Sequence, residues 1–131
     1  MGVVIGIDVG GSTTKIVGVE NKTIKSPMFV KATDPVTSLF GAFGKYIYDN
    51  GITLPEIEMV MLTSVGSAFI DQPLYGLPTA KTDEFLANGL GAQYAASLER
   101  LIVVSMGTGT SFVKVDGQHI QHIGGIGVGG G

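Results

Sequence analysis

Two apolar runs in this chain each end in a glycine cluster flanked by hydroxyl side chains, and no other feature constrains the fold as much. The first is VVIGIDVGGSTTK, from Val3 to Lys15, and the second is LIVVSMGTGTS, from Leu101 to Ser111. An apolar run of this length suits a buried strand, and clustered glycine directly after it lets the backbone approach another molecule closely. In both places a further apolar segment follows at once, Lys15–Glu20 and then FVKVDGQHI. Strand, tight loop, strand is the economical reading of each.

The two segments share strand, glycine loop, strand, turn and strand, which reads as an internal duplication, although a repeated hairpin would look the same. Thr23–Lys31 is expected as a third strand in the first copy, with Asn21-Lys22 as the intervening turn. Asp34-Pro35 then opens a helix as cap and first helical residue. Val36, Leu39, Phe40, Phe43 and Ile47 supply its apolar face, and Gly51 stops it. Ile57–Thr63 is a buried-strand candidate followed by a turn over Ser64–Ser67, and Leu77–Ala80 a short strand. A second helix is expected from Asp83 to about Leu98, with Thr82 as its cap and Asp83 and Glu84 in its first turn. Gly89 and Gly91 weaken that helix and suggest close packing on something flat. The duplication expects a helix at the last glycine run, HIGGIGVGGG, so the chain reads as part of a longer one.

Composition narrows the function classes. With 131 residues, 44% hydrophobic and 15% charged, the chain can bury a real core and does not read as disordered. Eight basic and eleven acidic residues leave a net charge of -3 with no basic stripe, so no nucleic-acid partner is expected. The absence of cysteine from the chain excludes disulfides, cysteine-held zinc and iron–sulfur clusters built from it, and suits a reducing, cytoplasmic setting. No signal peptide, myristoylation pattern or membrane-spanning run is present in the sequence, so a soluble protein with no membrane partner is expected.

The first glycine loop has the means to bind phosphate. Backbone amides at Gly10 and Gly11 can reach phosphate oxygens, and Ser12, Thr13 and Thr14 add uncharged donors. A carboxylate at Asp8 makes sense there if it holds Mg²⁺ through water, and Lys15 could neutralise charge during transfer. The competing reading is a plain hairpin turn capped by Asp8. The motif is no Walker P-loop, since GxxxxGK followed by Ser or Thr is absent. The second loop, Gly107 to Ser111, has the same resources without the acid, and a pair of such loops would clamp a nucleotide from two sides. Glu84 is the candidate general base for phosphorylating an alcohol, with Asp83 as fallback, although an acid in a first helical turn is often only a dipole partner. His119 and His122, three apart on an expected strand, fall on opposite faces, which argues against a shared metal.

The set DVGGSTTK, KTDEF with ANGLGA behind it, VVSMGTGTS and HIGGIGVGGG, in this order and spacing, resembles the type II pantothenate kinases of the actin, hexokinase and Hsp70 superfold. The resemblance spans Asp8 to Gly131. It implies an α/β, actin-like ATPase (ribonuclease H-like) domain over residues 1–100, with a mixed five-stranded sheet and flanking helices. Residues 101–131 would then be the first strands and glycine loop of a second, truncated domain. It implies ATP and Mg²⁺ in an interdomain cleft, with phosphoryl transfer to pantothenate giving 4'-phosphopantothenate, the first step of coenzyme A synthesis. By the same resemblance Asp8 faces magnesium, and Gly10, Gly11, Ser12, Thr13 and Lys15 form the first nucleotide loop. Gly107, Thr108, Gly109 and Thr110 form the second, and Gly129, Gly130 and Gly131 begin a nucleotide-facing helix. Glu84 takes the place of the catalytic base. Thr108, Gly109, Ser64 and His122 lie toward the pantothenate, His122 standing where many members carry an arginine. A homodimer is implied for the full-length protein, with little activity in this chain alone. Three alternatives share the loops: an activator ATPase of 2-hydroxyacyl-CoA dehydratases, whose members use cysteines absent here, a sugar kinase, and an ATP-binding module without catalysis.

Overall fold

The central strand is β1 (Val3–Val9), whose alternation puts Val3, Ile5, Ile7 and Val9 inside and the residues between them half-buried. A period of two buries one face of a sheet, and a helix is needed to cover that face. The computed structural model, which describes residues 2–107 and 109–129, supplies it as α1 (Pro35–Asn50). Leu39, Ala42, Phe43 and Tyr46 of α1 are fully buried with the inward residues of β1. The helix starts and stops where the sequence signals it. Asp34 accepts a hydrogen bond from the Thr37 amide, Pro35 occupies the first turn, and Gly51 takes a left-handed conformation (φ 63°). The buried stripe is centred one step round from the expected one, leaving Val36 and Phe40 partly exposed.

On one side β1 pairs antiparallel with β2 (Thr13–Glu20), with Asp8 opposite Lys15 and Val9 opposite Thr14. On the other it runs parallel to β5 (Ile57–Thr63), with Asp8 beside Thr63, and β5 runs parallel to β6 (Thr79–Lys81). The outer neighbour of β2, expected as one strand over Thr23–Lys31, is two: β3 (Thr23–Ile24) and β4 (Met28–Lys31), both pairing with β2. Pro27, between them, has no amide to give to a ladder. The mixed sheet therefore has six strands in five lateral positions. The turn before β3 is formed as expected, Asn21 and Lys22 both having positive φ as a two-residue hairpin turn of the primed type requires.

Contacts divide the chain into two compact units, Met1–Thr82 and Asp83–Gly131. The second holds α2 (Glu84–Ala96) and an antiparallel meander of β7 (Arg100–Met106), β8 (Thr110–Asp116) and β9 (His119–Ile126). The helix α2, grouped with the first sheet in the expected division at residue 100, packs on β7, β8 and β9. Gly89 makes that packing possible: a Cβ there would come 2.7 Å from Ile120 Cγ2 and 3.3 Å from Val115 Cγ2. Gly91, expected to share this role, is exposed, and a Cβ there would meet nothing within 4 Å among the described residues. Each unit contains the same topology, a three-stranded antiparallel meander whose first connection is the glycine hairpin.

Two expected boundaries move. Thr82 does not cap α2, because its amide donates to the Leu62 carbonyl and its own carbonyl accepts from the Thr63 hydroxyl, both at 2.9 Å, prolonging the pairing with β5. Asp83 is the cap, accepting from the Leu86 amide at 3.0 Å. The helix ends at Ala96, with Ser97 left-handed (φ 55°), rather than at Leu98.

Candidate functional site

In the first unit the site residues sit on the β1–β2 hairpin. Asp8 lies within β1, and its strand partner Lys15 brings its ammonium to 3.7 Å from the carboxylate. That ion pair is open to water, with the lysine side chain 61% and the aspartate 28% exposed, so it contributes little stability and yields readily to a competing cation. The Gly10 amide donates to the Thr13 carbonyl at 3.0 Å and closes the loop. A Cβ on Gly10 would lie 2.6 Å from that carbonyl oxygen, so the turn admits only glycine. Gly11 and Ser12 are exposed at the tip, and the Ser12 carbonyl accepts from the Ala32 amide, which fastens the tip to the end of β4. Thr14 departs from its expected role as a donor. Strand alternation turns it inward with Ile16, and its hydroxyl is fully buried without a hydrogen-bond partner among the described residues.

Ser64 follows Thr63, the strand neighbour of Asp8. Its backbone (φ 73°, ψ 176°) lies in a region almost reserved for glycine, and its hydroxyl oxygen is buried without a partner among the described residues. The Ser64 carbonyl accepts from the Ser67 amide at 3.1 Å and the Ser67 hydroxyl at 2.6 Å, which starts a 3-10 turn over Val65–Phe69. That turn lies on the end of β1, where a Cβ at Gly66 would stand 2.5 Å from both Val9 Cγ1 and the Val9 carbonyl. Asp8, Gly10, Gly11, Ser12, Thr13, Lys15 and Ser64 are thus gathered at one end of the first sheet.

In the second unit two adjacent acids open α2 and have different commitments. Asp83 spends its carboxylate on the Leu86 amide, while Glu84, half-buried, has no hydrogen bond or ion pair among the described residues. A carboxylate without a partner is free to accept a proton from a substrate, and the cap beside it is not. Phe85, which the sequence did not single out, stacks its ring on the His122 imidazole with centroids 3.8 Å apart and planes 4° from parallel. An aromatic beside the candidate base was the only signal for it. Gly107 and Gly109 close the second hairpin through a 2.9 Å bond from the Gly107 amide to the Gly109 carbonyl. Thr110 donates its hydroxyl to the Val128 carbonyl at 2.7 Å. Gly129 follows β9 outside any helix. Thr108, Gly130 and Gly131 lie outside the described residues.

Among the described residues no group of three or more histidine, cysteine or acidic side chains is placed to hold a metal. Asp8 alone cannot enclose a cation, but one carboxylate fits Mg²⁺ that takes its other oxygens from phosphate and water. Among the described residues no helix is long and apolar enough to cross a membrane.

No protein-family profile matches the chain, and no curated protein does. Solved structures do. Component A of the (R)-2-hydroxyglutaryl-CoA dehydratase of Acidaminococcus fermentans is 16% identical, over 94% of this chain and 48% of its own length, with a TM-score of 0.75. The activator of the 2-hydroxyisocaproyl-CoA dehydratase from Clostridium difficile, solved with bound ADPNP, is 14% identical over 92% of this chain and 45% of its own, with a TM-score of 0.73. The ROK hexokinase of Thermus thermophilus is 16% identical over 90% of this chain and 47% of its own, with a TM-score of 0.65. None of these three is a pantothenate kinase, and the chain spans about half the length of each. At such identities the likeness is one of fold, and the fold of this chain is that of the actin-like ATPases.

Proposed function

We propose that the chain is part of an ATP-dependent kinase whose acceptor is the primary hydroxyl of pantothenate. The observation that carries this reading is Glu84: an uncommitted carboxylate at the first residue of α2, beside an aspartate that has taken over the capping. The fold likeness to a hexokinase and to a protein that binds ADPNP supports the nucleotide part. The order of the DVGGSTTK, KTDEF and MGTGTS segments supports the acceptor.

In this reading the amides and hydroxyls of Gly10, Gly11, Ser12 and Thr13 bind phosphate oxygens, and those of Gly107, Thr108, Gly109 and Thr110 do the same from the second hairpin. Asp8 holds Mg²⁺ through water. Mg²⁺ held there would supply positive charge to offset that of the phosphates. Lys15, released from Asp8, adds a positive charge near the transferred group. Glu84 accepts the proton of the acceptor hydroxyl as that oxygen bonds to the γ-phosphorus. The bond from phosphorus to the β–γ bridging oxygen breaks, and ADP leaves with the electron pair. Ser64 faces the acceptor, and the active species is a homodimer.

Glu84→Gln tests the assignment in the protein as its organism makes it, assayed with ATP, Mg²⁺ and pantothenate. A general base contributes about 10²- to 10⁴-fold, so turnover should fall by that factor with nucleotide binding retained. Undiminished turnover removes Glu84 from the chemistry. A second reading, an activator ATPase of the dehydratase type, is favoured by the TM-scores of 0.75 and 0.73. ATP hydrolysis that is indifferent to pantothenate would select it.

A further inference from the structure

We infer that His122 is a positioning residue for Glu84, acting through Phe85. The consequence for catalysis rests on the base role given to Glu84 above, whereas the contact does not. Glu84 and Phe85 are the first two residues of α2, and the first turn of a helix has no preceding turn to hold it. One capping bond, from the Leu86 amide to Asp83, fastens it from within. The second attachment is the ring pair, in which His122 and Phe85 lie face to face at 3.8 Å.

The imidazole is a firm anchor because β9 holds it. His122 pairs with Val113, a fully buried residue of the middle strand β8. Directly after it the register shifts: Val113 faces His122 while Phe112 faces Gly124, so Ile123 is an extra residue in β9. A bulge of this kind bends a strand and redirects the side chains beside it. A Cβ added at Gly125 would be in ordinary contact with the ring, 3.7 Å from His122 Nε2. The imidazole, exposed overall, is covered on one face by Phe85 and has Gly125 near one ring nitrogen. Rotation of the α2 first turn would have to break the stack, and the Glu84 carboxylate is carried on the same turn.

The inference separates two roles that one substitution would merge. If His122 positions Glu84, a flat apolar ring at 122 should serve nearly as well as imidazole. If its nitrogens grip the acceptor, the ring alone should not. His122→Ala and His122→Phe are therefore compared in the same protein used for Glu84→Gln. In His122→Ala, turnover should fall several-fold with the pantothenate KM little changed, and His122→Phe should restore it. In the 131-residue chain, exchange of the Leu86 amide should accelerate about 3- to 10-fold in His122→Ala, the size of an aromatic pair's coupling, and return to the wild-type rate in His122→Phe.

A raised pantothenate KM in both variants, with turnover kept, would overturn the inference in favour of direct acceptor contact. Unchanged Leu86 exchange in His122→Ala would overturn it as well. Failure of the base assignment shows separately, as full turnover in Glu84→Gln while the two His122 variants still differ in exchange. The clamp would then stand without its catalytic consequence.

Discussion

Tyr46, on α1, accepts a 2.7 Å hydrogen bond from the backbone amide of Gly18, on β2, inside the core. The Gly18 carbonyl accepts from the Lys25 amide at 2.8 Å, but the ladder breaks there, between β3 and β4, and the tyrosine hydroxyl takes the place of a strand carbonyl. Tyr46→Phe keeps the ring volume and leaves that amide buried and unpaired. The cost should be about 1–3 kcal/mol, read as a lower urea midpoint at unchanged slope.

Ser64 occupies a backbone region that costs a non-glycine residue roughly 1–3 kcal/mol, and it buries an unpaired hydroxyl as well. Ser64→Gly relieves both and adds only the entropy of a freer unfolded chain. The variant should be more stable by about 1 kcal/mol in denaturant titration. If the hydroxyl serves the acceptor, the same variant should show a raised pantothenate KM.

Gly89→Ala places a methyl 2.7 Å from Ile120 Cγ2, a branched methyl with little room to turn. Overpacking of this sort costs roughly 1–3 kcal/mol. Gly91→Ala, which meets nothing, should instead stabilise α2 by about 1 kcal/mol through helix propensity alone. Thermal melts of the two variants should move in opposite directions.

Asp34 carries a pH dependence of known sign. The hydrogen bond from the Thr37 backbone lowers its pKa below the ordinary carboxylate value, and the Thr37 side chain adds to this. A carboxyl whose folded pKa is depressed stabilises the fold above its unfolded pKa, and that contribution is lost as pH falls through the folded value. Glu56 behaves alike, lowered chiefly by the Thr53 backbone amide. Asp34→Asn keeps a capping oxygen and cannot titrate. Its melting temperature should therefore lie below that of the wild type at neutral pH and converge on it in acid.

Asp8→Asn tests the metal assignment without touching the glycine loop. Residues that hold a metal's outer shell typically contribute about 10- to 100-fold in metal affinity. The Mg²⁺ concentration for half-maximal turnover should rise by a factor in that range, while nucleotide binding without Mg²⁺ stays close to wild type. An unchanged Mg²⁺ titration would leave Asp8 as a partner of Lys15 only.

Elements whose determinants lie within a few residues were legible from the chain alone. Asp34-Pro35 and Gly51 bound α1 because a helix cap is a local hydrogen bond and a helix stop a local backbone angle. The Asn21-Lys22 turn and the two glycine hairpins followed for the same reason, since a tight turn depends on which residues tolerate its angles. Asp8, Gly10 and Lys15 were readable as a group because a hairpin brings near neighbours together.

Only the tertiary structure decided matters that depend on a distant partner. The strand expected over Thr23–Lys31 became two because β2 pairs with its ends and Tyr46 serves the gap between them. Thr82 went to β5 and left the capping to Asp83. Thr14 turned away from the loop because alternation along β2 assigns its side chain to the core. Phe85 met His122 across 37 positions of sequence, a pairing set by how α2 lies on β9. Local chemistry determines which conformations a segment can adopt, and burial against a remote element selects among them, because only the folded sheet supplies the surfaces that make one choice cheaper than another.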